Sequence, residues 1–132
     1  MKYVIDTHAL IWFLEGHQKL GLQAKAILSN STSQLILPAI ALAEAVWIVE
    51  RGKTSIPSVN ALLNAINNDP RIAIYPLDRT VINRTISLST IDEMHDRQIV
   101  ATAMILQNQG EAVTLLSCDR NIIASGTISV IW

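Results

Sequence analysis

The chain has 132 residues, of which 50% are hydrophobic and 16% charged, and its formal net charge is −1. This composition excludes a disordered chain, a strongly basic nucleic-acid coat protein and an acidic tail protein. The single cysteine, Cys118, excludes a disulfide framework and a zinc–thiolate cluster, and it predicts a reducing, cytoplasmic compartment. A chain of this length predicts one domain over residues 1–132. The longest apolar stretch, 35–49, contains Pro38 and Glu44 and is shorter than the ~20 residues of a membrane-spanning helix.

Short apolar runs alternate with longer helical patterns along the chain. The predicted elements, in order, are strand 3–5, helices 7–14 and 20–29, strand 34–37, helices 39–51 and 58–67, strand 72–75, helices 78–89 and 96–107, strand 112–116, helix 119–124 and strand 128–132. This alternation predicts an α/β three-layer sandwich, with a mainly parallel central sheet of about five strands and helices on both faces. In such sheets, functional groups lie beyond the carboxyl ends of the strands.

Two aspartates stand at that edge of the predicted sheet. Asp6 directly follows the first strand, and Asp119 lies just past the fourth. Each comes where a helix begins, so each has an alternative interpretation as a simple helix N-cap. Two carboxylates at the same sheet edge nevertheless make this edge the first place to look for a functional site.

Two further acids fall on apolar helix faces. Glu44 shares its face with Trp47 and Ile48, where an unpaired carboxylate is costly. It is therefore either paired with a cation such as Arg51 or a metal ligand. Asp96 opens the helix 96–107 and projects toward the core, with an N-cap as the alternative.

If Asp6, Glu44, Asp96 and Asp119 converge, their like charges require a compensating cation. Mg²⁺ fits an all-oxygen donor set, and two such ions can serve phosphodiester chemistry, whereas zinc is disfavoured because no His or Cys pair exists. Arg97 and Arg120 directly follow two of these acids and are candidate phosphate contacts, or else exposed residues at helix starts.

Other residues nearby are expected to be structural. Asp92 and Glu93 are expected to form a solvated turn, and Cys118 to be a small buried filler. His8 is interpreted as a hydrogen-bonding residue at a helix start. No Cys/His arrangement suggests a nucleophile.

Four segments resemble, in order and spacing, the motifs of PIN domains, especially VapC-like toxins. They are 4–12 (VIDTHALIW), 42–44 (LAE), 95–103 (HDRQIVATA) and 116–120 (LSCDR). The resemblance implies a ribonuclease that uses one or two Mg²⁺ or Mn²⁺ ions, with Asp6, Glu44, Asp96 and Asp119 as the acidic set. It also implies that the hydroxyls of Thr7 and Ser117 lie near the metal and support the site.

The resemblance implies an RNA substrate and a small antitoxin that reaches the acidic pocket with a basic side chain. The mean hydropathy of +0.34 independently suggests a shared apolar surface and a homodimer. Its candidate residues lie on two helices and are Trp12, Phe13, Val46, Trp47 and Val49. The alternatives are a degenerate PIN-like module that only binds RNA or protein, and a receiver-like signalling domain. A phosphotransferase is disfavoured because His8 stands where that class needs a second Asp.

Overall fold

The computed structural model describes residues 1–132 and contains five strands and seven helices. In chain order the elements are β1 (Lys2–Ile5), α1 (Thr7–Glu15), α2 (Leu22–Ser29), β2 (Gln34–Pro38), α3 (Ala39–Glu50), α4 (Val59–Asn67), β3 (Ile72–Tyr75), α5 (Arg79–Thr85), α6 (Met94–Asn108), β4 (Val113–Leu116), α7 (Arg120–Ser125) and β5 (Val130–Ile131). The predicted α/β fold is confirmed, and the sheet is parallel throughout.

The strand order places a natural crevice at the centre of the sheet. The order is β3-β2-β1-β4-β5, and Val4 of β1 pairs with Ile36 of β2 on one side and Leu115 of β4 on the other. The chain proceeds outward from β1 through β2 to β3, and later from β4 outward to β5. The connections therefore diverge between β1 and β4, and a parallel sheet binds its ligands at the carboxyl ends of two such strands.

The central strands form because their side chains are buried on both faces. All four residues of β4 are buried, as are Leu35 to Pro38 of β2. The apolar residues Leu35–Leu37, Val113, Leu115 and Leu116 belong to one buried cluster, to which each of the seven helices contributes at least one residue. No helix is long and apolar enough to cross a membrane.

The helix predicted over 78–89 is shorter in the structure. Asp78 caps it through a hydrogen bond from the Val81 amide, and the helix ends at Thr85. Near this end, the hydroxyls of Thr85 and Ser87 donate to backbone carbonyl oxygens three residues earlier. Such bonds compete with helical continuation and explain why the pattern overestimates the length.

Two other expectations about the elements and surface are corrected. The last strand contains only Val130 and Ile131, rather than 128–132. Of the residues predicted for an interface, Val49 is buried in the core, whereas Trp47 is 55% exposed. Trp12, Phe13 and Val46 are half-buried.

Two leucine-to-alanine variants test this core. Leu115→Ala should lower the free energy of unfolding by about 2–5 kcal/mol, because Leu115 is fully buried in β4. Leu22→Ala, at a residue that is 86% exposed, is the matched control and should change it by less than about 0.5 kcal/mol. Urea unfolding followed by circular dichroism measures both, and equal losses would contradict the described packing.

Candidate functional site

A cavity of about 340 Å³ lies at the carboxyl ends of β1 and β4. Five carboxylate residues line it: Asp6, Glu44, Glu93, Asp96 and Asp119. The remaining lining residues are Thr7, His8, Ala9, Trp12, Cys118 and Trp132. The structure thus brings together all four acids singled out in the sequence and adds Glu93, while no lysine or arginine contributes to the wall.

Asp6 is the most buried of these acids and is fixed at both carboxylate oxygens. The Thr7 amide donates to Oδ1 over 2.7 Å, and the Ser117 hydroxyl donates to Oδ2 over 2.6 Å. Thr7 begins α1, so Asp6 also caps that helix. Ser117 directly follows β4, and its hydroxyl also accepts the Asp119 amide. Ser117 therefore links the acids that follow the two central strands.

Glu44 reaches the cavity from the middle of α3. Its Oε1 accepts a 3.0 Å hydrogen bond from the Thr7 hydroxyl, and its Oε2 lies 3.9 Å from His95 Nδ1. The expected alternative partner, Arg51, instead lies over the Trp47 indole, 4.1 Å from the ring centroid. Glu44 is also only half-buried, and Trp47, expected on the same buried face, is exposed rather than packed in the core.

Glu93, expected in a solvated turn, caps α6 and lines the cavity. Its Oε2 accepts the Asp96 amide over 2.9 Å, and its Oε1 contacts His95 Nδ1 at 2.7 Å. The helix therefore begins at Met94, and Asp96 lies in its first turn rather than at its cap. Glutamate is not among the usual N-cap residues Ser, Thr, Asn, Asp and Gly, so the sequence carries no signal for this cap.

Asp119 caps α7, where its Oδ1 accepts the amides of Asn121 and Ile122. The two candidate phosphate contacts lie outside the cavity wall. The Arg97 guanidinium donates to the backbone carbonyls of Ile91 and Ser89, and Arg120 is exposed at the start of α7. Arg97 is thus occupied by the turn before α6.

The crowding of acids has an electrostatic consequence. Burial, followed by repulsion from Asp119, Asp6, Glu93 and Glu44, raises the pKa of Asp96 to about 7. Burial likewise raises the pKa of Asp6 and that of Glu44, although hydrogen bonds from Ser117 and Thr7 respectively oppose the rise. The cavity therefore holds negative charge that the protein itself does not neutralise.

The chemistry of this donor set fits a hard divalent cation. Five carboxylates and no basic Lys or Arg side chain surround the cavity, and Mg²⁺ prefers such oxygen ligands while it retains several waters. The site is not assembled in advance, because no three acidic, His or Cys side chains are arranged so that they could hold an ion. The carboxylates are thus suitable ligands for a divalent cation, and binding of the ion would require their side chains to adjust.

Cys118 is exposed and lines the cavity, so the expectation of a buried filler is wrong. Although the residue is exposed, its thiol is partly buried. This partial burial and the negative charge of Asp6 raise the pKa of the thiol, which disfavours the nucleophilic thiolate. Trp12 and Trp132 also form part of the wall and were not expected there. Their rings meet edge to face at 5.8 Å, a tertiary contact that no local pattern reveals.

The chain belongs to the PIN domain family, whose sequence pattern matches residues 3–125. Among curated protein sequences, none matches this chain.

Several solved structures share the fold. One is the VapBC2 complex of Rickettsia felis, bound to a promoter DNA fragment, with a TM-score of 0.72, 17% identity, and coverage of 99% of this chain and 98% of that one. FitAcB from Neisseria gonorrhoeae has a TM-score of 0.64, 19% identity, and coverage of 97% and 95%. DNA-bound VapBC from Salmonella typhimurium has a TM-score of 0.65, 13% identity, and coverage of 99% and 97%.

Removal of the negative charge of Asp96 from the cavity should raise the free energy of unfolding at alkaline pH. The pKa of Asp96 is about 7 in the folded chain, and its ordinary value is 3.8. Between pH 3.8 and pH 7, Asp96 therefore keeps a proton in the folded chain that it has lost in the unfolded chain. The contribution of Asp96 to stability should therefore fall as pH rises from about 4 to 7. Asp96→Asn should be more stable than wild type at pH 8, by on the order of 1–2 kcal/mol after solvent screening of this half-buried group, and nearly equal at pH 4.5.

Urea unfolding at both pH values measures this difference. Asp92→Asn, at an exposed aspartate outside the cavity, is the matched control and should show no such pH dependence. An Asp96→Asn variant that is less stable than wild type at pH 8 would contradict the repulsion.

Proposed function

We propose that this chain is a Mg²⁺- or Mn²⁺-dependent endoribonuclease and the toxin component of a toxin–antitoxin pair. The observation that carries the proposal is the cavity between β1 and β4, in which five carboxylates face one another with no Lys or Arg in the wall. Membership of the PIN family supports a nuclease, and the VapBC complexes that share the fold support a toxin role.

Asp6, Glu44, Asp96 and Asp119 would hold one or two ions. The chemistry supplied by bound ions in such sites is activation of water and stabilisation of the leaving oxygen in phosphodiester hydrolysis. Asp6 is suited to a central role because the Thr7 amide and the Ser117 hydroxyl fix its orientation. Each of its oxygens accepts only one of these bonds and retains a lone pair for another partner.

Thr7 and Ser117 are positioning residues in this proposal. Thr7 joins Asp6 to Glu44, since its amide bonds the first and its hydroxyl bonds the second. Ser117 similarly joins Asp6 to the backbone of Asp119. Two hydroxyl residues thus connect three of the four acids, and the remaining adjustment that ion binding requires would take place within this hydrogen-bonded group.

The fold weighs against the receiver-like alternative. Receiver-type sheets have the order 2-1-3-4-5, whereas this sheet has the order β3-β2-β1-β4-β5. A degenerate PIN module is the remaining alternative. The presence of all four acids at one cavity favours an active nuclease over it.

We also propose an antitoxin partner, a two-fold homodimer and, since the substrate is RNA, the cytoplasm as the compartment. Large apolar side chains are exposed at Ile74 of β3, at Ile82 of α5 and at Ile86 just after α5, and such surfaces commonly mark interfaces. Sedimentation velocity at micromolar concentration should give a dimer, and a monomer would count against it.

We propose that residues 1–132 act together as one domain.

Asp6→Asn should lower the rate of RNA cleavage by at least about 100-fold, because the variant removes the charge of a metal ligand. The circular dichroism spectrum should remain native, because the variant keeps the shape of the side chain. The assay follows a labelled RNA in Mg²⁺, Mn²⁺ or EDTA, with Asp92→Asn as the control that retains activity. Full wild-type cleavage in EDTA, or full cleavage by Asp6→Asn, would refute metal-dependent catalysis by this cavity.

Expression of the wild-type chain alone should slow bacterial growth, because unrestrained RNA cleavage is harmful. Expression of Asp6→Asn should not, and co-expression of the product of the adjacent gene should restore growth. Colony counts after induction, with protein levels matched by immunoblot, measure the effect. Normal growth with the cleavage-competent wild-type chain would remove the toxin role while leaving the nuclease role intact.

A further inference from the structure

A second groove adjoins the acidic cavity. Its volume is about 520 Å³, and His8 and Trp12 line both it and the acidic cavity, so the two are neighbours. Its far wall contains Trp47, Arg51 and Lys53, and we refer to it as the basic groove. It thus combines aromatic surface with two cations, whereas the acidic cavity has neither Lys nor Arg.

Arg51 is held in place by an aromatic ring. It is the C-cap of α3, and its guanidinium lies 4.1 Å from the centroid of the Trp47 ring one turn earlier. Trp47 is 55% exposed, and Arg51 is exposed as well. The stack orders the guanidinium without neutralising it, so its outer face and its N–H donors remain available.

The position of Lys53 follows from the way in which α3 ends. Gly52 has a φ of +64°, its amide donates to the Val49 carbonyl, and the Lys53 amide donates to the Ile48 carbonyl. This is the Schellman arrangement, which glycine allows at low cost. It turns the chain sharply, so that Lys53 stands beside Arg51 at the groove instead of continuing along the helix.

Glu15 is the one acid in the basic groove, and one of its carboxylate oxygens is occupied by hydrogen bonds. Its Oε2 accepts the Thr54 hydroxyl at 2.7 Å, the Ser55 amide at 2.9 Å and the Ser55 hydroxyl at 3.2 Å. These bonds tie the segment that follows Lys53 to the end of α1. Glu15 therefore fixes the position of the lysine rather than forming an ion pair with it.

Several other cations of the chain are already engaged. Lys2 pairs with Glu111, Arg71 pairs with Asp69, and Arg97 donates to carbonyl oxygens. Arg51 and Lys53 have no carboxylate partner and stand in a groove that adjoins the acidic cavity at His8 and Trp12. A polyanion bound across both would find its phosphate contacts here, because the acidic cavity repels it except through bound cations.

We propose that the basic groove is a binding subsite for single-stranded RNA beside the scissile phosphate, with Arg51 and Lys53 contacting the backbone phosphates. A base stacks on the outer face of the Arg51 guanidinium, and the indoles of Trp47 and Trp12 form the apolar wall, as in other single-strand sites. The inference rests on the proposed ribonuclease function and assigns its substrate class and the residues that hold it.

The test measures RNA binding separately from cleavage. Fluorescence anisotropy in EDTA follows a labelled single-stranded oligoribonucleotide from 50 to 200 mM NaCl, with wild type and the double variant Arg51→Gln/Lys53→Gln. The variant should bind on the order of 10-fold more weakly at 50 mM, and its salt slope should be smaller by about 1.4, because each single-strand phosphate contact contributes about 0.7. Lys25→Gln/Arg79→Gln, exposed residues outside both cavities, makes the same charge change and should bind like wild type.

A further variant separates stacking from charge. Arg51→Lys keeps the cation but loses the planar guanidinium, so it should keep the wild-type salt slope and lose part of the affinity. Equal binding by wild type and the double variant, or no RNA binding by wild type, would overturn the proposal. It would also be overturned by a double variant that binds RNA normally and loses only antitoxin affinity, since the groove would then be a protein interface.

The outcomes distinguish this inference from the proposed function. A wild-type chain that binds RNA through the groove but does not cleave it in Mg²⁺ would leave the groove assignment standing and remove the nuclease. A chain that cleaves RNA, and whose double variant binds and cleaves equally well, would remove the groove assignment alone.

Discussion

The buried carboxylate of Asp6 is the constraint around which the site is arranged. It stands at the end of β1, where the connections from β1 and β4 diverge and leave a crevice. A charge at such a depth is costly unless it is hydrogen-bonded, and the Thr7 amide and the Ser117 hydroxyl supply those bonds. The two donors come from the chain after β1 and after β4, so the carboxylate also ties the two central strands together.

The same crevice collects carboxylates that the rest of the fold delivers to it. Glu44 comes from the middle of α3, Glu93 and Asp96 from the start of α6, and Asp119 from the start of α7. Burial, followed by repulsion from these neighbouring acids, raises the pKa of Asp96. The nearby cations Arg51 and Lys53 stand in an adjoining groove instead of neutralising the acids. Negative and positive surfaces are thus adjacent but separate, which suits a substrate that needs ions at one phosphate and side chains at the next.

The sequence predicts those parts of the site that follow from strand ends. Asp6 and Asp119 could be placed because parallel strands bring their carboxyl ends to one edge, and the helices that begin there were visible from their patterns. Glu44 lines the cavity but is only half-buried. Helical periodicity overestimates its burial, because periodicity alone does not show which apolar neighbours, such as Trp47, face solvent. Glu93, Cys118 and Trp132 depend on a cap, an exposed loop and a tertiary ring contact, and these arise only when the elements pack.

The most direct test of the central claim is to locate the ion itself. Crystals of the chain soaked in millimolar Mn²⁺ and measured near the manganese absorption edge should show an anomalous difference peak in the cavity, within about 2.5 Å of carboxylate oxygens or of waters bound to them. Asp6 and at least one of Glu44, Asp96 and Asp119 should contact the peak. A cavity without manganese at saturating concentration, with the ion bound elsewhere, would contradict a metal site formed by these carboxylates.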